Sequence, residues 1–350
     1  MSFVVLTDTS GNLPNHKIRE HDLRVIPFTY TIDGKDYTCT DSEAFDGDAF
    51  YDRIRAGVRV TTTQISPQDY VDFFEPYLKE GQDVIFVAMS SGISGSCNSA
   101  HIAADMLAES YPERSVCIID TRGASLGEGI IAMQAAQLRD GGCDVHQAAE
   151  ILLGNVERMF NVFTVDDLMH LRRGGRLSNL SAIVGTVLQI KPLLKGNEEG
   201  KIVAFAKLRG RKKSIQALGQ LYDKLVVEPE TQVVGIAQAG CREDAMYLAD
   251  LIRRSHAPKE ILVVEYEPVT GSHVGPGALA LFFEAAEGVR SYGNEGVTGG
   301  MKEAMAVGEK ALRGTLKAGE GVVKNTLKAG GSAAANLSEK LKEYRDREQK

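Results

Sequence analysis

Residues 83–107 read DVIFVAMSSGISGSCNSAHIAADML, and the fold turns on them. The apolar run Val84–Met89 is short and unbroken, as expected of a strand buried on both faces. It stops at a cluster of serines and glycines, and a helical pattern follows. A strand, a polar loop and a helix N-terminus together present hydroxyls and backbone amides that suit the oxygens of an anion. Serine in such a loop either donates a hydrogen bond or attacks as a nucleophile, so Ser94 is the residue to decide.

The same grammar recurs on either side. FVVLTD (3–8), RVIPFTYTID (24–33) and SVCIID (115–120) read as further strands, the second closed by a turn at Asp33-Gly34. SPQDYVDFFEPYLKEG (66–81) is a helix with Ser66 as N-cap, Pro67 at its first position, Asp69 in its first turn and Gly81 as its stop. Another helix is expected over 125–139. Strands alternating with helices predict an α/β, doubly wound parallel-sheet domain over residues 1–160.

The second half has a different rhythm. DDLMHLRRGGRLSN reads as a short helix stopped at Gly174-Gly175, and QIKPLLKGNEEGKIVAFAKLRG as two strands joined by a polar turn. The helix RKKSIQALGQLYDKL, the strand QVVGIAQAG and a helix from about Glu243 to Arg254 follow. EILVVEYEP and HVGPGALALFF read as closing strands. The expectation is an α+β domain with a mixed sheet over 161–288, the boundary falling near 158–166.

Bulk properties narrow the functional classes. The chain has 350 residues, 43% apolar and 25% charged, with a net charge of −7. That balance argues against nucleic-acid binding, which wants a basic footprint. No run of about 18 apolar residues is present, and the N-terminus reads as a strand and not a signal peptide, so a cytoplasmic protein is expected. Five scattered cysteines without a CxxC fit a reducing compartment and no zinc site.

Four polar clusters sit where apolar strands run out: 7–10 (TDTS), 61–64 (TTTQ), 90–96 (SSGISGS) and 120–125 (DTRGAS). Ligands in open parallel sheets bind at such strand ends, though N-caps favour the same residue types. As a nucleophile elbow, G-x-S-x-G around Ser94 fails at one place, where Ser96 stands instead of glycine. His273, among glycines 271, 275 and 277, is a candidate base, but no third residue is assigned to orient it. A hydrolase using Ser94 and His273 therefore stays open beside a binding site. No P-loop or GxGxxG is present.

In their order along the chain, TDTSGNLP, TTTQISPQDY, SSGISGS, DTRGASLGEG, VDDLMHLRRGGRLS, IKPLL, KLRGRKKSI and GSHVGPGALAL resemble the DegV family, which includes the fatty-acid-binding subunits of bacterial fatty acid kinase. The resemblance spans residues 1 to about 287. It implies two domains holding one long-chain fatty acid between them and no other cofactor. It puts Thr62, Ser94 and His273 on the family's carboxylate-binding positions, with a backbone amide from Gly95. Thr63, Ser91, Ser125 and Arg176 are implied as supporting residues. It also implies a separate kinase subunit as partner, for which Arg172 and Arg173 offer a basic docking stretch. Two departures stand out: Ile65 where the family usually has proline, and Ser96-Cys97 in place of a Thr-Tyr pair.

Residues 289–350 are a different kind of sequence. Over 291–350 there are 11 Lys and Arg against 8 Asp and Glu, a net of +3; the rest of the chain carries 29 against 39, a net of −10. GEKALRGTLKA (308–318) is followed by GEGVVKNTLKA (319–329), and Met305, Leu316 and Leu327 recur every eleven residues. Eleven residues are close to three helical turns, so one face repeats with little drift. The expectation is an amphipathic or partly disordered extension, with peripheral contact to an anionic membrane through 296–350. A lipid-stabilised scaffold acting through this tail is a further alternative.

Overall fold

The computed structural model describes residues 3–178 and 190–294. The first half runs β1 (Phe3–Asp8), α1 (Asn15–Glu20), β2 (Arg24–Ile26), β3 (Thr29–Ile32), β4 (Lys35–Thr38), α2 (Gly47–Arg55), β5 (Val60–Thr63), α3 (Pro67–Lys79), β6 (Asp83–Ala88), α4 (Ser96–Ser110), β7 (Val116–Asp120), α5 (Leu126–Asp140) and α6 (Val145–Arg158). The second half runs β8 (Met159–Thr164), α7 (Met169–Arg173), β9 (Ile190–Gly196), β10 (Ile202–Arg209), α8 (Arg211–Leu225), β11 (Val233–Gln238), α9 (Arg242–Ser255), β12 (Glu260–Glu265), α10 (Pro268–Val274) and β13 (Leu279–Glu284).

The first sheet is parallel throughout, in the order β2-β1-β6-β7. β1 and β6 are buried at every residue, which is why both read as unbroken apolar runs. α3 and α4 cover one face, α5 and α6 the other. From β1 the sheet extends one way to β2, and from β6 the other way to β7. The loops leaving β1 and β6 therefore diverge and open a crevice at the carboxyl edge. The serine loop 90–95 leaves β6 there.

The helix starts follow their capping chemistry. Ser66 and Asp69 close a reciprocal capping box at α3, with Pro67 in the first turn, and Asp144 with Gln147 does the same for α6. The second sheet has the order β10-β9-β8-β13-β11-β12, with β11 and β12 parallel and the other pairs antiparallel. α8 and α9 pack on it, and α5 also contacts β8, β11 and β13. α5 thus lies between the two sheets, which explains its small, buried face of Gly127, Gly129, Ala132, Ala135 and Ala136.

Three expectations need correction. The stretch 24–33 is two strands in different sheets, because Pro27 has no N–H and a fixed φ. β2 joins the parallel sheet, whereas β3 forms an antiparallel three-stranded sheet with β4 and β5. TTTQ is accordingly not the end of a parallel strand: Thr61–Thr63 belong to β5 of that small sheet. The stretch from His273 to Phe283 is not one strand either. His273 ends α10, and β13 starts only at Leu279 after a turn with positive φ at Gly275 and Gly277.

Two contacts tie the halves together. The β9–β10 turn rests on the serine loop, where the Ser90 hydroxyl donates to the Gly200 carbonyl at 2.8 Å. Gly200 has φ +69°, and a Cβ there would lie 2.1 Å from Ser90 Oγ. Beyond residue 288, the buried Arg290 guanidinium donates to the carbonyls of Thr121, Arg122 and Val156 at 2.8–3.0 Å. No helix among the described residues is long and apolar enough to cross a membrane. The repeat predicted for 289–350 lies outside the described residues from 295 onward.

Candidate functional site

Four elements meet around a cavity of about 380 Å³. β5 contributes Thr62 and Thr63, and the loop before α4 contributes Ile93, Ser94 and Gly95. α10 brings Val269, Thr270, His273 and Val274, and α7 with its following turn brings Leu171 and Arg176. Phe28, Met89 and Ile202 add apolar side chains to the lining, and Gln64 a further polar one. Residues separated by up to 211 positions are in contact: Thr62 Oγ1 lies 2.9 Å from His273 Nε2.

Local structure sets each donor. Ser94 precedes the fifteen-residue α4, so the positive end of the helix faces its surroundings. Its hydroxyl accepts from the Ser96 N–H at 3.2 Å, and its own N–H donates to the Ser90 carbonyl at 3.1 Å. His273 sits in the last turn of α10 and packs on Gly174, where a Cβ would stand 2.8 Å from Nδ1. Burial, with the Arg176 charge as a smaller contribution, lowers its pKa to about 4. The imidazole is therefore neutral at neutral pH and carries one N–H. Arg176 is half-buried, its Nε donating to the Ile93 carbonyl at 3.3 Å, and desolvation lowers its pKa too.

A second cavity of about 520 Å³ adjoins the first and shares Thr62, Arg176 and His273 with it. Arg59, His170 and Arg173 also line it, and no carboxylate does. The Thr62–His273 pair thus stands between an apolar interior and a basic outer pocket.

The structure brings together Thr62, Thr63, Ser94, Gly95, Arg176 and His273. It does not bring in Ser91 or Ser125. Ser91 is exposed and bonded to Asp120, its hydroxyl at 2.6 Å and its N–H at 3.2 Å. Ser125 is buried at the start of α5 with φ +56°, and its hydroxyl makes no cap bond. Arg172 is exposed on α7, one residue before Arg173. Phe28, Arg59, His170 and Ile202 were not singled out from the sequence. Arg59 is a lone cation there, and the apolar residues look like any others in a core.

Elsewhere, Asp8 and Glu128 form a fully buried carboxyl pair bridged by Ser10, whose hydroxyl lies 2.7 Å from Glu128 Oε2 and also touches Asp8 Oδ1. Burial raises Asp8 to about 6 and Glu128 well above the usual carboxylate range. Asp8 also accepts the Ser10 N–H, and Asp120 accepts those of Ser91 and Arg122, so both act as capping residues. No group of His, Cys, Asp and Glu able to hold a metal occurs among the described residues.

Comparison with known proteins agrees with this architecture. Residues 2–286 match the family described as "Uncharacterised protein, DegV family". A DegV domain-containing protein of Clostridium perfringens is 38% identical over 281 residues, covering 80% of this chain and 97% of that one. A fatty acid binding DegV family protein from Streptococcus agalactiae superposes with a TM-score of 0.72 at 29% identity, covering 82% of this chain and all of that one. DegV from Bacillus subtilis, a fatty acid binding protein, gives 0.71 at 29% identity with the same coverage. Two sheets sharing α5, a serine loop at the parallel sheet's edge and a match over residues 2–286 lead to one conclusion: the chain belongs to the DegV family.

Proposed function

We propose that this chain is a carrier that binds one long-chain fatty acid and presents its carboxylate to a partner such as a fatty acid kinase. The observation that carries the reading is the convergence of Thr62, Ser94 and His273 at the edge of an apolar cavity. The fatty-acid binding of the Streptococcus and Bacillus relatives supports it. In this assignment the acyl chain fills the space lined by Met89, Ile93, Leu171 and Val274. Its carboxylate takes hydrogen bonds from the Thr62 and Ser94 hydroxyls, the Gly95 amide and the His273 imidazole, with Thr63 and Arg176 beside them.

The energetics are consistent. Burying an acyl chain yields about 0.8 kcal/mol per methylene, on the order of 10 kcal/mol gross for a long chain. Association and ordering costs reduce that. A bare buried carboxylate would cost several kcal/mol, so donors are required. Neutral donors with one half-buried guanidinium nearby satisfy the charge without locking it as a direct bidentate arginine would. The basic outer pocket, with Arg173 in it and Arg172 next to it, suits an incoming anionic group or the acidic face of a kinase.

The hydrolase reading fits the contacts less well. Ser94 Oγ accepts from Ser96 and the imidazole pairs with Thr62, so no serine–histidine relay is assembled. Native mass spectrometry of the purified protein tests the proposal. The expected result is a mass excess matching one fatty acid, lost in the Ser94→Ala, His273→Ala double variant. An apo mass together with no uptake of added fatty acid would overturn it.

A further inference from the structure

Residues past the family match reach back to the loop that holds the serine loop. One turn of 3-10 helix, Val289–Ser291, follows residue 286, where the match ends. It carries Arg290, which is only 2% exposed. The Arg290 guanidinium donates to the carbonyls of Thr121 and Arg122 at 3.0 and 2.9 Å, and to that of Val156 at 3.0 and 2.8 Å. A planar fork with fixed donor directions holds those three carbonyls in place relative to one another. Burial lowers its pKa to about 10, which leaves it charged near neutral pH. The segment is anchored in turn. The buried Lys195 Nζ donates to the Arg290 carbonyl and, at 2.9 Å, to the Asn294 side chain. Tyr292 packs edge-on against Phe160 and Phe205.

Residues 120–123 face two ways. Asp120 and Gly123 hold the serine loop. The Asp120 carboxylate accepts the Ser91 N–H and hydroxyl at 3.2 and 2.6 Å, and the Gly123 carbonyl accepts the Ser90 N–H at 2.8 Å. The Ser90 carbonyl then accepts the Ser94 N–H at 3.1 Å. Thr121 and Arg122, between those two anchors, give their carbonyls to Arg290. Arg122 has φ +48°, a left-handed conformation that a non-glycine residue keeps only where its surroundings fix it. Without the guanidinium, these carbonyls lose a donor and the loop must shift to find another. The two acceptors that hold the serine loop would shift with it.

We infer that Arg290 is a positioning residue for the fatty-acid carboxylate: acting through residues 120–123, it sets where the serine loop places the Ser94 hydroxyl. The inference rests on the carrier reading above and extends it to a residue outside the family match.

The test is a double-variant cycle. Titration calorimetry with hexadecanoate is run on wild type, Arg290→Met, Ser94→Ala and the double variant, each shown to be folded by urea denaturation. Arg290→Met should bind about tenfold more weakly, the worth of about one hydrogen bond. In the Ser94→Ala background the same change should cost no more than about twofold, because the hydroxyl it would misplace is already gone. Arg290→Lys keeps the charge and can still reach a carbonyl, so it should recover part of the loss. It takes the place of Arg290→Met in the cycle if that variant does not fold. A purely structural arginine would lower the denaturation midpoint and leave affinity unchanged, or cost the same in both backgrounds. Either result would overturn the positioning role while leaving the carrier reading intact. A wild-type protein that takes up no hexadecanoate would overturn the carrier reading itself, and the positioning role with it.

Discussion

Thr62→Val isolates one hydroxyl at the heart of the site. Valine keeps the branched shape of threonine and suits a strand, so β5 should retain its pairing with β3. What goes is the group 2.9 Å from His273 Nε2. A hydrogen bond to a charged partner is worth about 1.5–3 kcal/mol, so affinity for a fatty acid should drop roughly 10- to 140-fold. Without ligand, the half-buried imidazole loses its partner, and stability should fall by about 1–3 kcal/mol. Titration calorimetry with one defined fatty acid gives the first number, and urea denaturation of the ligand-free protein gives the second. Affinity within twofold of wild type, with an unchanged denaturation midpoint, would show that Thr62 and His273 do not form the carboxylate seat.

The pH dependence of stability provides another check. His273 is held at about 4 against an ordinary 6.5, so between these values the unfolded chain binds the extra proton. This contribution is complete above pH 6.5 and is lost as pH falls toward 4, up to about 3 kcal/mol. Buried Asp8, raised to about 6, acts in the opposite sense, stabilising as pH falls. The difference between wild type and His273→Gln, measured by denaturation at several pH values, should therefore isolate the histidine; parallel curves would refute its burial as the neutral form. At the other buried cluster, Glu128→Gln mimics the protonated acid and should change stability by no more than about 1 kcal/mol near neutral pH, whereas Glu128→Ala should cost about 2–5 kcal/mol. Equal losses in the two variants would show that Glu128 is charged in the folded protein.

Much of the architecture is visible in the linear pattern because it depends on local physics. β1 and β6 are unbroken apolar runs since a parallel strand is covered on both faces. α3 announces itself by its cap, where Ser66, Pro67 and Asp69 are neighbours in sequence and satisfy each other's backbone groups. The break at Pro27 was equally local, and its missing N–H was the available sign that residues 24–33 are not one strand. The eleven-residue repeat lies outside the described residues, so the structure adds nothing to it.

The site is otherwise. Thr62, Ser94 and His273 stood out through family resemblance; spacing alone disfavoured a nucleophile at Ser94, where the elbow pattern fails at Ser96, but did not exclude one. Tertiary structure chooses between the partners. It sends β3 and β5 into a sheet of their own, which carries Thr62 to the last turn of α10. It also presses the β9–β10 turn onto the serine loop through Ser90 and Gly200. Ser91 and Ser125 belong to the same polar clusters, yet one turns to Asp120 and the other into the base of α5. Sequence by itself determined most of the strands and helices, though not the break at Pro27 or the helix that ends at His273, because capping, burial on both faces and periodicity act over a few residues. Only the tertiary structure decided which hydroxyls face one cavity and why burial favours a neutral His273. Those properties arise from packing between segments as far apart as Thr62 and His273, separated by 211 positions.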